Sequence, residues 1–282
     1  MKIEILYQDQ DIVVINKPAG LIVNNADSVV GETVQSWFGA NFLANPDFTN
    51  DHWRSLVPAD FDATFGQPED VFELRQGLVH RLDKQTSGVL LLALNPGALV
   101  NLLYQFKHHL TEKKYLCLAH GKFSVPKDRI ILPMGRSKQD PTKFAIREEG
   151  RLATTDYQVR DFYPSLNLEK ISAIFDQDGA LSFAEFKKRT KNYQGFSLLE
   201  CWPKTGRTHQ IRVHLSAIKH PLVGDRTYVG KKRAKLDPIW CHRHFLHAEQ
   251  LKFTHPRTKK PMEIKAGLSP DLTQVLTYLR RE

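Results

Sequence analysis

The sequence predicts an α+β protein, and three stretches carry that prediction. Val89 to Leu94 is a continuous apolar run of the kind a strand buried on both faces needs, entered through Gly88, which lets the backbone turn into the core. Ile3 to Tyr7 and Ile12 to Ile15 are strand-like segments separated by the turn-rich Gln8-Asp9-Gln10-Asp11, which makes them a hairpin. Asn95-Pro96 then opens a helix, with Asn as cap and Pro in the first turn, and Leu99, Leu102, Leu103, Phe106 and Leu110 recur at helical spacing on one face.

The remaining elements follow in order. Asn16-Lys17-Pro18-Ala19-Gly20 reads as a tight turn that delivers Lys17 to the surface above the first hairpin. Residues 26–74 lose periodicity and gain Asp, Asn, Pro and isolated aromatics such as Trp37, Trp53 and Phe61, which predicts a long surface insertion with one short helix around Thr33 to Phe42. Leu116 to Ala119, Ile130 to Met134 and Thr154 to Val159 read as strands. Residues 161–195 form a second irregular stretch, and the chain closes with a hairpin, Leu251 to Phe253 and Met262 to Ile264, and a helix from Ser269-Pro270 with Leu272, Val275, Leu276 and Leu279 inward.

Composition bounds the function. Within 282 residues, 40 Lys and Arg against 31 Asp and Glu leave a formal charge of +9, which suits a polyanionic partner. Cys117, Cys201 and Cys241 are odd in number and lack C-x-x-C spacing, which argues against a disulfide framework or a zinc ribbon and implies a reducing compartment. The N-terminus meets acids and amides too early for a signal peptide, and no apolar run approaches the roughly 18 residues of a membrane span. The expectation is a cytoplasmic protein.

Two stretches invite metal readings. Asp176, Asp178, Gly179 and Glu185 match part of a calcium loop, but its first position falls on Ile174, which cannot ligate; an Asp-Gly turn between two short helices fits better. On a strand His242 and His244 would share a side, yet the next position there is Leu246 and His247 points away, so no metal is expected.

The polar cluster His80-Arg81-Leu82-Asp83-Lys84-Gln85-Thr86-Ser87 runs straight into the Val89 strand and holds Asp83 near the mouth of the core. A partly desolvated carboxylate needs a cation or several donors, and such arrangements concentrate at catalytic sites. Pro203 to Ile218 supplies a candidate. There Gly206 ends a strand, Thr208 can cap a helix, Ile211, Leu215 and Ile218 face inward, and His209, Arg212 and Ser216 share the neighbouring face. No Gly-rich dinucleotide fingerprint and no G-x-x-x-x-G-K-S/T occurs. Glycoside hydrolysis normally takes two carboxylates, and no second acid has a comparable context. A single Asp does suit covalent or electrostatic help at a sugar carbon.

In order along the chain, Asn16-Lys17-Pro18-Ala19-Gly20, His80-Arg81-Leu82-Asp83 with Thr86-Ser87-Gly88, Lys114-Tyr115, Gly206-Arg207-Thr208-His209-Gln210-Ile211-Arg212-Val213-His214, Gly224-Asp225 and Leu246-His247-Ala248 resemble the RluA family of pseudouridine synthases. The resemblance covers most of the chain outside 26–74 and 161–195. It implies a mixed, mainly antiparallel central sheet with flanking helices, two subdomains around an RNA-binding cleft, and a single catalytic domain over 1–282 without a separate N-terminal RNA-binding domain.

By the same resemblance Asp83 is the essential residue, acting on a uridine flipped out of ribosomal or transfer RNA, either by attack on the sugar or by stabilising an intermediate. Tyr115 stacks on the uracil, and Arg212 pairs with Asp83 and keeps it ionised. Arg81 enters the gap left by the base, and Lys17, Thr86, Arg207 and His209 join the substrate-binding set. No cofactor or metal is needed for an isomerisation, and a monomer is the default. Lys187, Lys188, Arg189 and Lys191 form a basic cluster that is either an RNA contact or a solvated helix face. An RNA-binding or chaperone protein and a nucleosidase or glycosidase are the competing classes.

Overall fold

The computed structural model describes residues 2–25, 30–43, 51–175 and 181–281. The chain divides into two compact units, Met1–Lys113 with Ala248–Gly267 and Lys114–His247 with Leu268–Glu282. In chain order the elements are strands β1 (Glu4–Gln8) and β2 (Ile12–Lys17), helices α1 (Val34–Phe42) and α2 (Pro68–Arg75), strand β3 (Ser87–Ala93), helix α3 (Pro96–Lys107), and strands β4 (Glu112–His120), β5 (Lys127–Arg136), β6 (Phe144–Ile146), β7 (Arg151–Tyr163) and β8 (Ser165–Leu166). Helices α4 (Leu168–Ser172) and α5 (Phe183–Thr190), strand β9 (Phe196–Pro203), helices α6 (Gln210–Ala217) and α7 (Lys231–Leu236), strands β10 (Leu246–Thr254) and β11 (Pro261–Lys265), helix α8 (Pro270–Thr277) and strand β12 (Leu279–Arg280) complete the chain.

In the first unit β1 and β2 form the expected antiparallel hairpin. Strand β2 pairs antiparallel with β3, setting Ile12 opposite Ala93 and Lys17 opposite Gly88. Strand β3 also neighbours β10, which pairs with β11. Every residue of β3 is buried. Val89, Leu91 and Ala93 pack with Leu99 and Leu102 of α3, and the alternate Leu90 and Leu92 are equally inaccessible, so the unbroken apolar run serves both faces. Each such leucine contributes about 2 kcal/mol of burial. Gly88 lies inside the strand at φ +115°, where a Cβ would come within 2.2 Å of the Ala248 carbonyl oxygen. Its missing side chain is therefore what lets β10 approach.

Helix α3 starts as its sequence dictates, with the Asn95 side chain accepting from Ala98 N–H at 2.9 Å. It ends at Lys107, and Leu110 lies beyond it, exposed rather than inward.

The surface insertion expected over 26–74 is in part a packed element. Helix α1 begins where predicted, closed by reciprocal Thr33 and Ser36 hydrogen bonds. Trp37, Phe38, Trp53, Leu56 and Phe72 are all buried. Isolated aromatics in an aperiodic stretch act here as anchors, because each ring buries a large area without needing a periodic face. Residues 26–29 and 44–50 lie outside the described residues.

The second unit is built on an antiparallel sheet in the order β4-β9-β7-β5-β6. Ile211 and Leu215 of α6 pack with Cys117, Leu199 and Cys201. Stretch 161–195 is again anchored, since Ile171 and Phe186 are fully buried in a cluster with Trp240. Asp176, Asp178 and Gly179 of the calcium-loop match lie outside the described residues. Residues 242–243 form a bend and the strand starts only at Leu246, so His242 and His244 do not lie on a strand. Among the described residues no helix is long and apolar enough to cross a membrane.

Candidate active site

In the first unit the site is a tight turn at the entrance to β3. Asp83 is half-buried, and its carbonyl accepts from Thr86 N–H at 3.0 Å. Thr86 is buried and Arg81 exposed. The turn is fastened from below. Lys17 is fully buried, which corrects its expected surface position, and its ammonium donates to the carbonyls of Pro18 (2.8 Å), Leu21 (2.9 Å) and Lys84 (3.2 Å). Gly20 N–H donates to the same Lys84 carbonyl at 2.8 Å. A buried ammonium needs its donors satisfied, and here the backbone of two adjoining turns does it.

His80 holds the other end of the motif. Its Nε2 accepts from Leu91 N–H at 3.1 Å, and its ring stacks on Phe106 with centroids 4.7 Å apart. Burial, helped by the charge of Lys113, pushes the imidazole down to about 3, so it is a neutral acceptor at physiological pH.

In the second unit Tyr115 stands on β4 opposite Cys201 of β9, half-buried against the cluster that holds Ile211 and Leu215. Arg212 is buried on α6 and is gripped by Asp225, with Nε donating to Oδ2 at 2.7 Å and Nη2 to Oδ1 at 3.0 Å. Asp225 also accepts from the N–H groups of Thr227 (2.9 Å) and Tyr228 (3.2 Å). Burial would raise this carboxyl, but Arg212, His244 and the Thr227 N–H together hold it below the usual carboxylate range.

The predicted polar face of α6 is real, and its common partner is Tyr228. His209 Nδ1 meets the Tyr228 hydroxyl at 2.8 Å, the Arg212 guanidinium lies 5.0 Å from the ring centroid, and the Ser216 hydroxyl donates to the Tyr228 carbonyl at 2.9 Å. The helix starts one residue later than expected, because His209, at φ +59°, and not Thr208, occupies the cap position.

Gln210 locks this start to the sheet. It accepts from the Thr205 hydroxyl and Arg207 N–H, at 2.7 and 3.1 Å, and donates to the Thr154 carbonyl and the Thr155 hydroxyl, at 2.9 Å each. Arg207 itself is exposed.

Asp225 and Tyr228, the partners of Arg212, are the residues to which the sequence reading gives no role. Asp225 stood in a quoted motif without a role, and the signal available was only an acid and an aromatic three residues apart after a glycine.

Asp9, Asp11 and His255 bring ligand-type atoms within 4.8 Å of one another. Their capacity is used internally. Arg257 binds both oxygens of Asp11 at 2.7 Å, Asn95 donates to it at 2.9 Å, and Asp9 accepts from Asp11 N–H, Ile12 N–H and the Tyr7 hydroxyl and contacts His255 Nε2 at 2.6 Å. This is a hydrogen-bonded clasp between β1-β2 and the β10-β11 turn.

A family model described as RNA pseudouridylate synthase matches residues 11–217. An uncharacterized RNA pseudouridine synthase of Bacillus subtilis is 31% identical over 281 residues, covering 100% of this chain and 74% of its own. Ribosomal large subunit pseudouridine synthase D of Xanthomonas campestris is 31% identical, covering 99% of this chain and 70% of its own. tRNA pseudouridine synthase C of Haemophilus ducreyi is 32% identical, covering 95% and 92%. Among solved structures, human RNA pseudouridylate synthase domain containing 1 superposes with a TM-score of 0.62 at 22% identity over 99% of this chain and 88% of its own, which supports the fold.

Proposed function

Because the chain belongs to the RluA-type RNA pseudouridine synthases, enzymes that isomerise uridine in RNA, we propose that Asp83 is its catalytic carboxylate and works on a uridine turned out of a structured ribosomal or transfer RNA. The observation that carries this reading is the Asp83 turn, a half-buried carboxylate on a backbone held by the buried Lys17 ammonium and the Thr86 N–H. Catalysis needs such a group fixed before substrate arrives.

In this reading the carboxylate acts at the sugar carbon while the bond from C1′ to the base nitrogen breaks. The uracil rotates against Tyr115, C5 bonds to C1′ as the carboxylate is released from that carbon, the C5 proton leaves to solvent, and N1 takes up a proton from solvent. No atom is gained or lost. Arg212, held by Asp225, serves in this reading as the cation that partners the catalytic carboxylate. Arg81, exposed beside Asp83, occupies the gap in the RNA.

Tritium release from RNA labelled at uracil C5 tests the assignment. Wild type releases tritium, and Asp83→Asn and Asp83→Ala release none while binding RNA within about threefold of wild type. Turnover by Asp83→Ala would overturn the role of Asp83, and release of free uracil would point to a nucleosidase.

A further inference from the structure

The loop that begins at the Arg212 partner ends in an unbalanced positive surface. Its base is closed, with Gly224 N–H donating to the Asp237 carboxylate at 3.2 Å. Asp237 also accepts from the Tyr193 hydroxyl at 2.9 Å and contacts His120 Nε2 at 2.7 Å. Between Asp225 and Asp237 the loop carries Arg226, Lys231, Lys232, Arg233 and Lys235 and no acid. Arg226 and the three lysines are exposed.

A second basic segment adjoins it. Over residues 183–194, Lys187, Lys188, Arg189 and Lys191 are exposed, and the only acid, Glu185, pairs with Arg189. The two segments meet at Tyr193. Its N–H bonds to the carbonyl of Thr190, the last residue of α5, and the Arg233 guanidinium lies 5.8 Å from its ring centroid. Beneath them Phe186 of α5 and Leu236 of α7 share one buried cluster with Trp240. The backbone is thus fixed while the cations point outward.

Like charges this dense repel one another, and a polyanion relieves the repulsion by releasing its counterions. We propose that α5 and the loop of α7 form one phosphate-gripping surface for the RNA substrate. The proposal rests on the RNA-synthase reading above and extends it to residues outside the family motifs. Lysine point charges with no exposed aromatic among them suit backbone phosphates and not base stacking. A membrane surface would call for apolar anchors beside the cations, and 187–191 and 231–235 expose none.

The test uses two charge-removing sets, Lys187→Gln with Lys188→Gln and Lys191→Gln, and Lys231→Gln with Lys232→Gln and Lys235→Gln, each beside its Lys→Arg counterpart. Binding of unmodified total ribosomal and transfer RNA is measured from 50 to 300 mM KCl, together with tritium release. Each glutamine set lowers the salt slope of log Kd by about two to three and weakens binding at least about tenfold at 100 mM salt. The loss falls on KM more than on kcat, and the arginine sets restore it.

On the wild-type protein, bound RNA protects the same lysines from acetylation, a readout that needs no variant. Unchanged slope and Kd, absent protection, or a loss confined to phosphatidylglycerol vesicles overturns the proposal. Absence of turnover by wild type would instead strike the function proposed above and leave the Kd comparison decisive.

Discussion

Asp225 holds the Arg212 guanidinium side-on through Nε and Nη2, at 2.7 and 3.0 Å, with both side chains buried. They lie thirteen positions apart, and the connecting chain returns so that Tyr228 lies against the same guanidinium. A planar cation gripped on one edge can present its other edge in one direction only, which is what an aligned catalytic partner requires.

Asp225→Asn leaves a buried guanidinium without its counter-charge, so the variant loses about 3 kcal/mol or more of stability. Its kcat falls at least about tenfold with RNA affinity within about threefold, the pattern of a positioning residue. The carboxyl is held below its ordinary value, so its contribution is present above that value and is lost as pH falls through the folded one. Urea unfolding therefore shows a constant gap between wild type and variant from pH 8 to about 5, narrowing below about pH 4.

Lys17→Met tests the support of the Asp83 turn. The methionine fills the space but removes the ammonium donor from the carbonyls of Pro18, Leu21 and Lys84, the last keeping only the Gly20 N–H among those described. A loss of about 2 kcal/mol is expected. Amide exchange at Gly20, whose N–H shares the Lys84 carbonyl, should accelerate, and kcat should fall with it.

His80 makes stability depend on pH. Its folded value, about 3, lies below the ordinary 6.5, so the unfolded chain binds the proton more tightly and acid favours unfolding. Stability is full above about pH 6.5 and falls by about 1.4 kcal/mol per unit below it. Between pH 7 and 5 wild type loses about 2 kcal/mol more than His80→Gln, measured by urea unfolding at both pH values.

Gly88→Ala tests the close approach of β10 to β3. The added methyl group meets the Ala248 carbonyl oxygen at 2.2 Å, at a φ of +115° that side chains rarely adopt. The variant should lose about 3 kcal/mol or more, or fail to accumulate as folded protein. Thermal unfolding checks this.

Local signals in the sequence were reliable where one physical cause acts alone. The Val89 run became a strand buried on both faces, Asn95 became a cap, and Thr33 opened a helix, because hydrophobic continuity and side-chain capping act over a few residues. The Trp37 and Trp53 stretch was misjudged as surface because it has no period, although burial follows ring area more than period. Lys17 is expected outside because Pro18 and Gly20 mark a tight turn, and the carbonyls that admit it to the interior come from residues as far along the chain as Lys84.

The sequence by itself determined the α+β class and the family, since each rests on short motifs whose meaning is local. Only the tertiary structure decided which side chains hold those residues in place. Asp225 and Tyr228 on Arg212, Lys17 beneath the Asp83 turn, and Ala248 against Gly88 are all contacts across folded distance. Such partners are selected by where a closed backbone carries them, and no spacing rule along the chain encodes that.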